Sequence, residues 1–257
     1  MDFIGKTVMI TGSVRNTGLG IAREFAKAGA RLIVNGRKEA DVKRVAAELQ
    51  ADFGAEVIEA AVDIAVPEEV NRFFDALEAD GIALDVLVNN AVIQAVGYSF
   101  IDTPYDLLED TFRINTLGLF HCSQRAAKIM KNNGGGAIVN VGSNTAERPI
   151  KGRTAYVASK GAVDSLTKAM AIDLAEFNIR VNTVAAGYIY SDRWPVLPES
   201  TVQRRRANIP LGQECNAVDI ARSVMFLASD DSARTTGTRL TVDGGTSVQL
   251  IPLDCDF

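Results

Sequence analysis

The run Thr7-Val8-Met9-Ile10-Thr11-Gly12-Ser13-Val14-Arg15-Asn16-Thr17-Gly18-Leu19-Gly20-Ile21-Ala22-Arg23-Glu24-Phe25-Ala26 decides the fold. Residues 7–10 read as a short buried strand, the glycines at 12, 18 and 20 as a turn, and Ile21, Ala22, Phe25 and Ala26 fall at helical spacing. A strand, a glycine turn and a helix in that order bring backbone amides and the positive end of a helix to one point, which suits a pyrophosphate. A glycine turn without a ligand has the same letters, and the position directly after the first strand is what favours the ligand.

Outward from this unit, β-branched runs recur at 31–35, 56–61, 86–88, 137–141, 180–185 and 239–242, with helix-like segments between them. Residues 18–28 and 40–49 carry helical periodicity, and 67–77 opens on Pro67 and places Val70, Phe73, Phe74 and Leu77 on one face. Such alternation predicts an α/β fold: a doubly wound, Rossmann-like domain whose parallel sheet of about seven strands is covered by helices on both faces. A chain of 257 residues, 47% apolar, suits one domain spanning 1–257. Residues 188–208, with Trp194, Pro195, Pro198 and a run of arginines at 204–206, have little strand character. They read as a substrate-covering segment or as a plain surface excursion.

A net charge of −5 gives no footprint for nucleic acid or an anionic membrane, and no apolar run approaches the length of a bilayer span. The three cysteines, Cys122, Cys215 and Cys255, are scattered without metal-ligand spacing, and an odd number makes a poor disulfide framework. With no signal-type apolar core after Met1-Asp2-Phe3-Ile4-Gly5-Lys6, a cytoplasmic protein with no metal, no nucleic-acid partner and no membrane partner is expected. His121, the sole histidine, has no nucleophile beside it and reads as a packed or interface residue.

The chemistry is carried by Tyr156-Val157-Ala158-Ser159-Lys160, where four-residue spacing stacks a phenol and an ammonium on one helix face, and by Ser143, thirteen residues before the tyrosine. Reducing a carbonyl needs hydride at carbon and a proton at oxygen. A free phenol, with a pKa near 10, exchanges protons reluctantly at neutral pH. Bringing it to neutrality takes roughly 4 kcal/mol, which one positive charge about 4 Å away supplies at an effective dielectric near 20. Ser143, closing the run Ile138-Val139-Asn140-Val141-Gly142, offers a donor to the same oxygen or simply caps a turn.

These segments together resemble the short-chain dehydrogenase/reductase (SDR) family, classical type, and the resemblance runs through nearly the entire chain. Thr11-Gly12, Asn16 and Gly18 follow the family's Thr-Gly-x-x-x-Gly-x-Gly fingerprint, with Asn16 where the middle glycine is usual. Asp63-Ile64 resembles the adenine-binding pair, and Leu87-Val88-Asn89-Asn90-Ala91 the segment after the fourth strand, with Val92 in place of glycine. Arg180-Val181-Asn182 to Ala186-Gly187 is similar to the Arg-Val-Asn-x-x-x-Pro-Gly segment, with Ala186 in place of proline. Thr236-Gly237 and Val242-Asp243-Gly244-Gly245 complete it.

The resemblance implies an enzyme, an NAD(P)-dependent short-chain alcohol dehydrogenase or carbonyl reductase that interconverts a secondary alcohol and a ketone or aldehyde. Its implied catalytic residues are Asn115, Ser143, Tyr156 and Lys160, with Asn115 holding a water that links the lysine to solvent. Its implied cofactor contacts are Gly12, Arg15, Asn16, Gly18, Leu19, Arg37, Asp63, Ile64, Asn90, Ala91, Tyr156, Lys160, Gly187, Ile189 and Ser191. Asn89 and Asn90 equally suit bonds to local backbone. Gly36 stands where an NAD-preferring member carries an acid, and Arg15 and Arg37 coincide with the family's 2′-phosphate readers, so NADP(H) is expected over NAD(H).

Family position names Ile93, Gln94, Asn144, Glu147, Arg153, Tyr188, Arg193 and Trp194 as substrate-pocket candidates. Arg148, Lys151, Arg153 and Arg193 suit a sugar acid or another anionic hydroxy/keto substrate, or are solvated surface groups. The small-molecule substrate is thus a sugar, a polyol or a hydroxy/keto acid. One alternative is a 3-oxoacyl-thioester reductase with the arginines at 204–206 as an acyl-carrier docking patch; another is a non-catalytic cofactor-binding regulator. A homo-oligomer, homotetramer or dimer, is implied by resemblance, with candidate apolar faces on 117–130 and 156–174 and a tail, 248–257, within reach of a neighbour.

Overall fold

The computed structural model describes residues 1–251. Val8, Met9 and Ile10 show how the first strand seeds both sides of the molecule. In β1 (Thr7–Ile10), Val8 and Ile10 point to one face and Met9 to the other, because strand side chains alternate. Six more strands join it: β2 (Arg31–Gly36), β3 (Val57–Ala61), β4 (Val86–Asn89), β5 (Gly136–Ser143), β6 (Ile179–Ala186) and β7 (Arg239–Val242). Every pairing is parallel, in the order β3-β2-β1-β4-β5-β6-β7.

On the Val8 and Ile10 side the sheet packs against α1 (Asn16–Lys27), α2 (Glu39–Phe53) and α8 (Ala217–Ala228) through Ile21, Phe25, Val42, Leu49, Ile220 and Val224. On the Met9 side it packs against α3 (Pro67–Ala79) and α5 (Leu119–Asn132) through Phe74, Leu77, Cys122, Ala126 and Met130. Strands buried on both faces must be apolar nearly throughout, which is why they read as continuous runs in the sequence. The remaining helices are α4 (Tyr105–Phe112), α6 (Thr154–Asp173) and α7 (Glu199–Ala207), with a π-helical turn at Arg113–Gly118 between α4 and α5.

The predicted strands are all found, β5 and β6 being longer at both ends than the β-branched letters alone suggested. Residues 188–208 are not wholly irregular: Glu199–Ala207 form α7, whose polar sequence lacks the apolar periodicity that announces a helix. Cys122 and Cys215 are buried free thiols, and the predicted Cys255 and most of the tail 248–257 lie outside the described residues. Among the described residues no helix is long and apolar enough to cross a membrane, and no cluster of His, Cys, Asp and Glu is arranged to hold a metal.

Reversal of strand order on either side of β1 opens a crevice at the carboxyl ends of β1 and β4, where helices leave for opposite faces. One buried side chain braces that edge. Asn35 accepts from the Gly12 amide at 3.1 Å and donates to the Ala60 and Val62 carbonyls, both at 3.0 Å, so it ties the glycine turn to β2 and β3. Replacing Asn35 by Ala removes three hydrogen bonds and leaves the buried Val62 carbonyl without this donor, and urea unfolding should show a loss of about 2–4 kcal/mol. A change below about 0.5 kcal/mol would show that the brace contributes nothing net.

Candidate active site

A single cleft of about 1410 Å³ runs along the crevice from the glycine turn to α7. Tyr156 and Lys160 enter it from successive turns of α6, and Ser143 enters from the end of β5. Lys160 is buried and donates to the Val141 carbonyl at 2.6 Å, a bond that ties α6 to β5 two residues before Ser143. The Ser143 hydroxyl shares the cleft wall with the Tyr156 phenol, pairs with the Thr145 hydroxyl at 2.9 Å and accepts from the Thr145 amide at 3.2 Å. Three chemically distinct groups therefore share one wall of the cleft.

Burial dominates the electrostatics of this wall. It raises the Tyr156 pKa above the ordinary phenol value, against weaker opposing effects of the Ser143 hydroxyl and the Arg153 charge. The Lys160 ammonium, 5.8 Å from the Tyr156 ring centre, is itself pushed down to about 8 by desolvation, which the carboxylate of Asp164 partly offsets. Asp164 sits one turn further along α6, and Arg239 on β7 reaches it at 3.1 Å, Glu147 at 3.0 Å and the Ser143 carbonyl at 3.2 Å. Glu147 is therefore drawn to Arg239 and does not line the cleft, correcting its reading as a pocket residue.

Asn115 is buried in the π-helical turn and reaches α6, but its amide is fully engaged. It accepts from the Ile93 amide at 2.8 Å and donates to the Ile93 carbonyl at 2.9 Å and to Ser159 at 3.0 Å. Its side chain pins the backbone after β4 and holds Ser159, the residue before Lys160 on α6.

At the other end of the cleft, Gly18 could not be another residue, because a Cβ there would collide with the Gly12 carbonyl and the Asn90 amide. Asn16 takes the left-handed conformation at φ 48°, the property that lets an asparagine replace glycine in the turn. Its side chain also accepts from the Asp192 amide at 3.2 Å, joining the turn to the segment that follows β6. Asn90 lines the cleft, yet donates to the Thr11 and Gly12 carbonyls at 3.0 Å each, and Asn89 donates to Ser123 and Asn140. Of the two readings, local bonding accounts for both side chains.

Arg15, Arg37, Asp63, Ile64, Ala91, Gly187, Ile189 and Ser191 line the cleft as expected; the Leu19 side chain instead packs on the core beneath α1. At Gly36 a Cβ would stand 2.8 Å from a Val14 methyl, so any side chain there would have to displace Val14. A cradle of small residues at the turn, with two exposed guanidinium groups beside it, fits the phosphates of a dinucleotide in chemistry and in shape.

The substrate candidates Ile93, Gln94, Asn144, Arg153, Tyr188, Arg193 and Trp194 all line the cleft, as does Arg148, whereas Lys151 does not. Sequence reasoning missed Arg205, which also faces the cleft from α7. Within the run 204–206, Arg204 and Arg206 are exposed, Arg206 pairing with Glu214 at 2.8 Å, while Arg205 turns inward over Tyr188 and Trp194. His121 bonds Asn71 at 3.0 Å and has no nucleophile partner.

A family model described as enoyl-(acyl carrier protein) reductase matches residues 12–247. The chain is 34% identical over 240 residues to a 3alpha-hydroxysteroid dehydrogenase of Mediterraneibacter gnavus, covering 93% of this chain and 96% of that one. It is 37% identical over 258 residues to an L-rhamnose 1-dehydrogenase (NAD(P)(+)) of Azotobacter vinelandii, covering 97% and 100%. Among solved structures, a gluconate 5-dehydrogenase from Burkholderia cenocepacia in complex with NADP and tartrate superposes with a TM-score of 0.92 at 32% identity, covering 97% and 98%.

The buried ammonium gives a direct test of this electrostatic reading. With its pKa lowered in the folded chain, Lys160 binds its proton less tightly than in the unfolded chain, so its contribution to stability grows as pH rises from about 8 toward the ordinary 10.5. In 13C-lysine NMR one resonance should titrate near 8, and Asp164→Asn should move it lower, because an offsetting anion is removed. A Lys160 signal titrating with the bulk of the lysines would contradict the assignment.

Proposed function

Since the chain belongs to the short-chain dehydrogenase/reductase family and is an oxidoreductase that uses a nicotinamide cofactor, we propose that it interconverts a secondary alcohol and a ketone or aldehyde at the wall formed by Ser143, Tyr156 and Lys160. The observation that carries this reading is the convergence of those three side chains on the cleft that begins at the glycine turn. A bound nicotinamide supplies or accepts the hydride, and the protein manages the proton.

In the reducing direction the Tyr156 hydroxyl gives its proton to the substrate oxygen while the Ser143 hydroxyl donates to the same atom. The raised phenol pKa keeps Tyr156 protonated and suits it to that role. In the oxidising direction the phenol must release its proton, and the Lys160 cation favours the phenolate against the cost of burial. Lys160 carries three donors and spends one on Val141, leaving two for a cofactor ribose. Asn115 acts at one remove, by fixing the backbone at Ile93 and the position of α6 through Ser159. The substrate is a sugar, a polyol or a hydroxy/keto acid, covered by residues 188–208 of a single domain.

NADP(H) is the proposed cofactor in preference to NAD(H). Arg15 and Arg37 are exposed beside the glycine turn and make no ion pair among the described residues, and Gly36 brings no carboxylate to this end of the cleft. For the acyl-thioester alternative, the arginines left exposed on α7 are Arg204 and Arg206, the latter paired with Glu214. Exposed Leu117 and Phe120 beside α5 and Ile172 on α6 support self-association through those helices.

Two assays test the proposal. Tyr156→Phe should bind NADPH with unchanged affinity by fluorescence and lose turnover by at least ~100-fold, the lower bound for removing a general acid; turnover near the parent rate refutes the acid/base role. With the unmutated protein, kcat/KM should favour NADPH over NADH, and Arg37→Asp should invert the order; an unmutated preference for NADH would contradict the phosphate site.

A further inference from the structure

The substrate end of the cleft holds more positive charge than the fold needs. Arg153, Arg193 and Arg205 all face it, and none of them forms an ion pair among the described residues. Arg153 stacks 5.4 Å from the Tyr156 ring centre and donates to the Gln94 carbonyl at 3.4 Å. Arg193 donates to the Gln94 side chain at 2.6 Å, so one glutamine aligns both guanidinium groups. Arg205 lies 5.3 Å from the Tyr188 ring centre and 5.4 Å from that of Trp194, while the indole of Trp194 is fixed by its bond to the Ile189 carbonyl at 2.7 Å.

Two of the three are not freely solvated side chains, and the exposed Arg193 is held by Gln94. Arg153 and Arg205 are half-buried and each is set on an aromatic face. Mutual repulsion and desolvation disfavour charge at Arg153, whose nearest like charges are Arg193 and Arg205. Of fifteen N–H donors on the three groups, by five per guanidinium, only two are engaged among the described residues. Of the carboxylates nearby, Glu147 pairs with Arg239 and Glu214 with Arg206, and Asp192, on the cleft wall next to Arg193, forms no ion pair with any of the three. A protein keeps three unneutralised guanidinium groups together at a cost, and an anion arriving with the substrate relieves it.

We infer that Arg153, Arg193 and Arg205 bind the carboxylate or phosphate of an anionic hydroxy or keto substrate and so set its reacting carbon beside Tyr156. The inference rests on the reading of Tyr156 as the acid/base, and it selects within the proposed substrates: neutral sugars and polyols become poor ones. Arg205 belongs to this site because α7 turns it inward, whereas its neighbour Arg206 is neutralised outside.

The test compares matched pairs of ketones, levulinate against its methyl ester and dihydroxyacetone phosphate against dihydroxyacetone. The anionic member should win in kcat/KM by at least ~10-fold in one pair, and which pair it is separates carboxylate from phosphate. Arg153→Gln and Arg205→Gln should each lower the anion-to-neutral ratio by ~10–100-fold, with Arg205→Lys in between because the planar fork is lost but the charge kept. Calorimetric binding of malonate and of inorganic phosphate, with NADPH binding and thermal unfolding as checks on folding, reads the site without turnover. A ratio near one in both pairs of the unmutated protein, or anion binding left intact when Arg153→Gln and Arg205→Gln are combined, overturns the anion site. Should no ketone be turned over while anion binding still depends on the arginines, the anion site stands and the oxidoreductase reading falls.

Discussion

The bond from the Lys160 ammonium to the Val141 carbonyl is the contact on which the geometry of the cleft depends. It crosses from α6 to β5 and fixes the helix at one height against the sheet. From that height, Tyr156 lies one turn back and Asp164 one turn forward, and Ser143 follows two residues after the acceptor. A buried cation costs several kcal/mol unless it is paired or bonded. Here the cost is met by the carbonyl and by the nearby Asp164 carboxylate, which Arg239 holds in turn. The chain from β7 through Arg239 and Asp164 to Lys160 is thus a line of alternating charge leading into the proposed proton-handling wall.

A second set of bonds does for the opposite end what Lys160 does for this one. Thr11 accepts the amides of Asn90 and Ala91, Asn90 returns two bonds to Thr11 and Gly12, and Asn35 takes the Gly12 amide. The glycine turn is held rigid from both adjacent strands, with its remaining amides free for an anion. Asparagines at strand ends serve this purpose well, since each has both donors and an acceptor in one planar group.

The strand-turn-helix order was legible because buried parallel strands are apolar without interruption, and because the helices beside them show one apolar stripe. Tyr156, Lys160 and Ser143 were legible because helical spacing and strand position fix where they face. What could not be read is what depends on partners distant in sequence. Glu147 was placed in the pocket because its partner Arg239, ninety-two residues away, leaves no local mark. Arg205 was hidden inside a run of three arginines, since only the seating of α7 decides which one turns inward. The Asn115 amide belongs to Ile93 through a loop return, and the raised Tyr156 pKa comes from burial, a property of the assembled fold.

The central claim is that Lys160 acts as a cation on Tyr156, and the pH dependence of kcat/KM for alcohol oxidation tests it most directly. The account predicts a limb that rises with pH as the phenol loses its proton, and a displacement of that limb to higher pH in Lys160→Met. A limb at the same pH in both proteins, with turnover preserved, would contradict it.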